Sequence, residues 1–226
     1  MAELTIDNKR VRVEEGSTVL ETARSAGIHI PTFCYYETLS PYGACRLCTV
    51  EVHRKGGSWL VASCLLRAEE GMVISTNTPR VVEARKILSE LLLARCPNVK
   101  EVQKLAKSFG VGKPRFRLKD ERCILCGRCV RACREIVKVG AISLVNRGKE
   151  REMKSPFHTP SSTCIGCGTC LYVCPTDAVD LGEIKLKETV HSWGVDFETR
   201  MCRICGEYHF APEYGFDYEE LKRGDS

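Results

Sequence analysis

The sequence of 226 residues has no apolar run approaching the ~20 residues a bilayer-spanning helix needs, so no direct membrane insertion is expected. Met1 to Val13 alternates charged and apolar positions without an apolar core segment, so no secretory leader is legible and the expected compartment is cytoplasmic. Histidine is scarce: His29, His53, His158, His191 and His209 form no catalytic pattern with serine and aspartate, and each reads as a surface or packing residue, with His209 a partial exception taken up below. Neither a G-x-G-x-x-G dinucleotide fingerprint nor a P-loop occurs. Substrate chemistry carried by the chain's own residues is therefore not legible.

Cysteine, by contrast, is abundant. Fifteen cysteines in a chain that is otherwise ordinary for a globular protein, at 43% hydrophobic and 28% charged, could mean disulfides, zinc sites or iron-sulfur ligands. A reducing cytoplasm keeps thiols free, and an odd total fits complete pairing poorly, so metal ligation is favoured. The net charge of +5, with 16 Lys/Arg against 6 Asp/Glu between Lys100 and Lys154, would suit a nucleic-acid partner. Anionic clusters explain it as well: a thiolate-bound 2Fe-2S or 4Fe-4S centre each carries about −2, and local basic residues compensate. No nucleic-acid partner is expected.

The strongest signal is a repeat. Cys123, Cys126, Cys129 and Cys133 follow C-x2-C-x2-C-x3-C, and Cys164, Cys167, Cys170 and Cys174 repeat it with Pro175 next. This is the bacterial two-cluster run, in which three cysteines of one loop hold one cubane and the fourth is carried off on the following helix to the other. The expected sets are Cys123, Cys126, Cys129 and Cys174 for one 4Fe-4S cluster, and Cys164, Cys167, Cys170 and Cys133 for the second. Gly127, Gly166 and Gly168 keep the loops open, so that backbone N–H groups can face sulfur. Two zinc knuckles would use eight cysteines too, but would not require the third x2 step, the doubled x3 step or Cys174-Pro175.

Nearer the N-terminus, Cys34, Cys45, Cys48 and Cys64 form C-x10-C-x2-C-x15-C. Three cysteines in one excursion and a distant fourth have the shape of a plant-type 2Fe-2S loop with a longer first gap, and Gly43 and Ala44 are small enough for close approach. A zinc-bound β unit or buried free thiols are the alternatives.

The expected fold is α+β in four parts. Residues 1–78 read as an N-terminal β-grasp 2Fe-2S ferredoxin domain: strand Leu4 to Asp7, a turn at Asn8-Lys9, strand Arg10 to Val13, and a helix with a Thr18/Glu21 capping box and a Gly27 stop. Strands at Thr49 to His53, Trp59 to Ala62 and Met72 to Ser75 follow. Residues 79–115 read as a short helical linker domain. Thr78 and Pro79 start its first helix, with Val82, Ile87, Leu88, Leu91 and Leu92 as the apolar stripe, and Asn98 caps a second with Val99, Val102, Leu105, Ala106 and Phe109. Residues 116–181 form a bacterial-type 2x4Fe-4S ferredoxin domain with pseudo-twofold symmetry. Residues 182–226 are an irregular C-terminal tail with a CxxC.

On the stretches GACRLCTVEV, LLLARCP, CILCGRCVRACREI and TPSSTCIGCGTCLYVCPTDAV, the sequence resembles a known family over about residues 1–181. It is similar to the N-terminal iron-sulfur region of the complex I large subunit, to the matching region of NAD-dependent formate dehydrogenases and, in length, to the diaphorase-side iron-sulfur subunit of NAD-linked hydrogenases. The resemblance implies an electron-transport subunit of an oxidoreductase. It would relay single electrons between a flavin- and NAD(P)-binding subunit and a hydrogenase, formate dehydrogenase or similar catalytic subunit, in an ordinary or an electron-bifurcating complex. The family usually places H-x3-C-x2-C-x5-C between the two ferredoxin domains for an extra cubane; here only Cys96 stands there, and no histidine lies between His53 and His158.

Three cysteines remain: Cys96, and Cys202 and Cys205 in the tail. If the tail folds back, these three with His209 could build a fourth site, either a further 4Fe-4S cluster or zinc. The alternative is a buried thiol and a knuckle completed by nothing or by a partner chain. Two other functions stand beside the relay: a stand-alone soluble polyferredoxin, which would sediment alone, and a zinc-binding scaffold, which would be colourless.

Overall fold

The computed structural model describes residues 2–14, 16–154, 164 and 167–179, together with the backbone of 198–201 and 208–211. It forms two compact units, residues 1–126 and 127–226.

In the first unit, alternation of Leu4 and Ile6 with Glu3 and Thr5 builds β1 (Ala2–Ile6), and β2 (Lys9–Val13) returns antiparallel with Ile6 opposite Lys9. The turn is Asp7-Asn8, one residue earlier than expected. Both adopt left-handed backbone angles, φ 47° and 66°, which these short polar residues tolerate and which a two-residue hairpin requires. Helix α1 (Val19–Ser25) starts at the expected capping box, Thr18 N–H donating to Glu21 at 2.7 Å and Glu21 N–H donating to Thr18 Oγ1 at 3.3 Å. Gly27 follows its end at φ 74°.

Strands β3 (Thr49–Arg54) and β4 (Gly57–Ala62) form a second hairpin, and β5 (Val73–Ser75) lies parallel to β1 and antiparallel to β3. The sheet order is β2-β1-β5-β3-β4. Leu4, Ile6, Val50, Val52 and Ile74 of the sheet bury against Val19, Leu20 and Ala23 of α1, in one cluster with Cys48 and Cys64. Hydrophobic burial thus fastens the third and fourth cysteines of the first set to the core.

Helix α2 (Pro79–Arg95) begins at Thr78, whose Oγ1 accepts from Val81 N–H, as expected. Its buried face is not the expected stripe. Ile87 and Leu91 are exposed at 43% and 40%, whereas Val81, Arg85, Ser89, Glu90, Leu93 and Ala94 are buried. Apolar periodicity fails here because the polar residues of that face find partners inside. α3 (Lys100–Ser108) is capped by Val99 without a side-chain bond, not by Asn98, whose amide instead donates to Asp120 at 2.9 Å. Val99, Val102 and Ala106 are buried as expected.

Two carboxylates tie α2 down. Glu51 on β3 accepts from Ser58, from Thr78 at 2.6 Å and from Arg80 at 2.6 Å, and Glu90 accepts from the backbone and guanidinium of Arg115 at 2.7 to 3.0 Å. Ser58 first, then Thr78 and Arg80, hold Glu51 down to about 2; Arg115 does the same for Glu90. Their folded pKa lies below the unfolded value, so their stabilisation is present above ~4.5 and is lost as pH falls toward about 2. Denaturant titrations followed by circular dichroism should show stability dropping across that window. The Glu51→Gln, Glu90→Gln double variant should drop less steeply there, and an unchanged slope would show that these ties do not set acid sensitivity.

In the second unit, α4 (Arg128–Glu135) and α5 (Thr169–Tyr172) pack together, and β6 (Ser143–Val145) pairs antiparallel with β7 (Glu152–Lys154). The backbone of β8 (Glu198–Met201) pairs antiparallel with β9 (Tyr208–Ala211), so the stretch expected to be irregular contains a two-stranded pairing. No helix among the described residues is long and apolar enough to cross a membrane.

Candidate metal centres

The loop between α1 and β3 carries Cys34, Cys45 and Cys48, and the chain leaving β4 carries Cys64. Gly43 stands at φ 66°, a left-handed angle that favours glycine, and a Cβ there would press on the exposed end of the Leu65 side chain beside Cys64. Arg46 also takes a left-handed angle, φ 58°, turning the chain between Cys45 and Cys48.

The four sulfurs come together two by two. Cys48 Sγ and Cys64 Sγ are 3.3 Å apart, near the ~3.8 Å expected of two thiolates sharing one tetrahedral ion with ~2.3 Å bonds. Cys34 Sγ accepts from Cys45 N–H at 3.5 Å, and Cys45 Sγ accepts from Phe33 N–H at 3.4 Å. The Cys34 thiol beside it and backbone N–H groups hold Cys45 down to about 6 despite burial. The Cys64 thiol similarly holds Cys48 down to about 7. Cys34 and Cys64 are pushed up, first by their partner sulfurs and then by burial.

Within each pair the two sulfurs thus pull in opposite directions, one lowered and one raised by its neighbour. Among the described residues no three His, Cys, Asp or Glu side chains gather around a single-ion site. Two such pairs supply the four sulfur ligands that a binuclear iron-sulfur centre or a four-cysteine zinc site uses.

The repeat is visible in the second unit. Gly127 and Gly168 occupy equivalent places in the two cysteine runs, and both adopt the left-handed conformation as N-caps of α4 and α5, φ 71° and 69°. The last cysteine of each run is also treated alike: Cys133 Sγ accepts from Ala141 N–H and Cys174 Sγ from Ala178 N–H, each at 3.3 Å. Such N–H donors stabilise anionic sulfur, and here they come from the chain after each run, not from the loops opened by glycine.

Cys133 and Cys164 pack against the buried pair Ile142 and Cys170. Burial first, then Cys167, Cys164 and Cys133, push the Cys170 thiol up to about 12. Cys133 thus lies near Cys170 of the other run, as crossed ligation requires, while Cys129 of its own run packs against the same buried pair. Arg131, one of the basic residues interleaved with these cysteines, is buried at 3% exposure.

Within the first unit, α2 reaches both cysteine loops. Arg95 Nε donates to the Cys123 carbonyl at 3.0 Å, and Arg85 holds the carbonyls of Leu47 at 3.0 Å and Thr49 at 2.8 Å. Sequence reading missed both arginines, since neither sits in a cysteine motif. Cys96, where α2 ends, is fully buried in a cluster with Cys34, Leu93, Val99, Val102, Ile124 and Cys126, against which Phe33 and Cys45 also pack. Burial pushes its thiol up to about 12. Cys202 and Cys205 lie outside the described residues, as does the side chain of His209, whose backbone in β9 pairs with that of Arg200 in β8.

Comparison with known proteins finds iron-sulfur families over both cysteine-bearing regions. Residues 1–79 match the family described as a 2Fe-2S iron-sulfur cluster binding domain, and residues 122–178 match a 4Fe-4S dicluster domain. The chain is 34% identical over 233 residues to a subunit of the NADH-quinone oxidoreductase of Rhizobium meliloti (strain 1021), covering 91% of this chain and 27% of that protein. It is 36% identical over 211 residues to the HndD subunit of the NADP-reducing hydrogenase of Solidesulfovibrio fructosivorans, covering 79% and 36% respectively. Among solved structures, a chain of NAD+-reducing [NiFe]-hydrogenase in the H2-reduced state superposes with a TM-score of 0.60 at 25% identity, covering 96% of this chain and 89% of that one. These relatives bear out the resemblance to the complex I large subunit and to NAD-linked hydrogenases. The chain spans only about a third or less of the first curated relatives it matches.

Proposed function

Because residues 1–79 are matched by a 2Fe-2S cluster binding domain and residues 122–178 by a 4Fe-4S dicluster domain, we propose that this chain is an iron-sulfur relay of an NAD(P)H-linked oxidoreductase. One observation carries the reading. Within residues 1–126 a single packed apolar cluster contains Cys34 and Cys126, with Cys45 against it. Electron transfer weakens steeply with distance and faster through voids than through packed atoms, so a continuous interior between a sulfur of each proposed centre is what a relay needs.

The clusters would accept and release single electrons, and the chain's own residues set the conditions for this. Cys34, Cys45, Cys48 and Cys64 hold the 2Fe-2S centre in a β-grasp domain. The two crossed sets, Cys123, Cys126, Cys129 with Cys174 and Cys164, Cys167, Cys170 with Cys133, hold two 4Fe-4S centres. Backbone N–H groups donate to the sulfurs of Cys34, Cys45, Cys133 and Cys174, and such donors stabilise negative charge added at a cluster. A flavin- and NAD(P)-binding subunit would stand on one side, and a hydrogenase, formate dehydrogenase or similar subunit on the other. Anaerobic purification of the native protein should bring down a flavoprotein chain. A protein that sediments alone would point instead to a free polyferredoxin, and a colourless one with zinc to a scaffold.

A fourth site of Cys96, Cys202, Cys205 and His209 rests on sequence alone. It would replace the cubane that the family places near Cys96, or staple the tail with zinc. Metal analysis of Cys202→Ala should show about four fewer irons for a cubane, or about one fewer zinc for a staple. No change in either metal would remove the site.

A further inference from the structure

Arg85 is 4% exposed, on the inner face of α2. A buried guanidinium is ordinarily matched by a carboxylate, because an unmatched charge in a low-dielectric interior is costly. Among the described residues no carboxylate forms an ion pair with Arg85. Its Nε donates to Leu47 O at 3.0 Å and its Nη2 to Thr49 O at 2.8 Å, so the guanidinium grips the two carbonyls that flank Cys48. Burial lowers its pKa from the ordinary value, and the nearby anionic groups that pull it back are Cys48 first and then Asp7. The Asp7 carboxylate is already engaged, accepting from the N–H and hydroxyl of Thr76.

We infer that Arg85 is a positioning and potential-setting residue of the first centre: a fixed cation that clamps the Cys48 segment through two carbonyls and supplies the counter-charge for an anionic 2Fe-2S cluster. This rests on the proposed cluster at Cys34, Cys45, Cys48 and Cys64. Reduction takes such a centre from about −2 to about −3, so a buried cation beside one ligand stabilises the reduced form more than the oxidised form. The ordinary screening of surface charges does not reach it. Its placement on α2 also makes the seating of that helix a determinant of how readily the centre accepts an electron.

The two parts of the role separate by substitution. Arg85→Gln keeps an amide donor for one carbonyl and removes the charge; Arg85→Lys keeps the charge and loses the planar fork. Redox titrations of the full chain, followed by electron paramagnetic resonance of the 2Fe-2S signal, should show Arg85→Gln shifted at least tenfold toward the oxidised form. For one electron that is about 59 mV more negative. Arg85→Lys should stay within about threefold of the parent. An Arg85→Gln protein with a full 2Fe-2S signal and the parent's potential overturns the inference, as does an Arg85→Lys protein that shifts as far as Arg85→Gln. Should Arg85→Gln fail to retain its cluster, retention by Arg85→Lys upholds the charge role and loss in both overturns it. A parent protein without any 2Fe-2S signal would instead overturn the cluster reading itself.

Discussion

Anaerobically prepared protein should contain about ten irons and about ten acid-labile sulfides per chain in the three principal centres, from one 2Fe-2S and two 4Fe-4S clusters. Twelve of the fifteen cysteines supply three sets of four ligands. In the first set the sulfurs fall into two pairs, Cys34 with Cys45 and Cys48 with Cys64, each holding one group inclined to ionise beside one that resists. A binuclear centre uses two thiolates per iron and would convert both pairs to full thiolates. A four-cysteine zinc site would instead need all four around one ion. Replacing Cys48 or Cys64 should therefore cost about two irons and leave about eight. A parent preparation with about two irons and zinc in the remaining sites would end the three-cluster reading.

The second large effect is expected from Cys133→Ala. Although Cys133 belongs to the run beginning at Cys123, it packs with Cys164 against Ile142 and Cys170. Its loss should degrade the cubane of Cys164, Cys167 and Cys170, removing up to about four irons, while the cubane of its own run persists. Cys126→Ala provides the reciprocal measurement, since it should damage the cubane of its own run only. Electron paramagnetic resonance of the reduced variants distinguishes the two cubanes. Selective loss of the Cys123-run signal in Cys133→Ala would contradict crossed ligation.

Much of the site was legible because cluster ligation is local. A C-x2-C-x2-C step sets how three sulfurs of one loop can face one metal core, whatever surrounds the loop. Gly127 and Gly168 take left-handed angles at the same place in each run for the same reason. The Thr18/Glu21 box and the Thr78-Pro79 start were legible too, since a cap satisfies donors within one turn. The strand boundaries came out within a few residues, and the one-residue shift of the first turn to Asp7-Asn8 reflects two adjacent residues that both tolerate the turn's backbone angles.

Helix α2 marks where such reasoning stops. Its apolar stripe pointed to Ile87 and Leu91 as core, yet both are exposed, and Arg85, Ser89 and Glu90 face inward. Periodicity measures how apolar a face is, not whether a polar face will meet partners across the fold. Arg85 finds carbonyls 38 and 36 residues away, and Glu90 finds Arg115, 25 residues along the chain. Alone, the sequence determined the cysteine spacings, the repeat and the caps that start α1 and α2, because each depends on residues a few positions apart. Which face of α2 is buried, which thiols pair and which cation stands behind Cys48 were decided only by tertiary structure, because a buried polar group is stable only where distant backbone and side chains supply its hydrogen bonds and counter-charge.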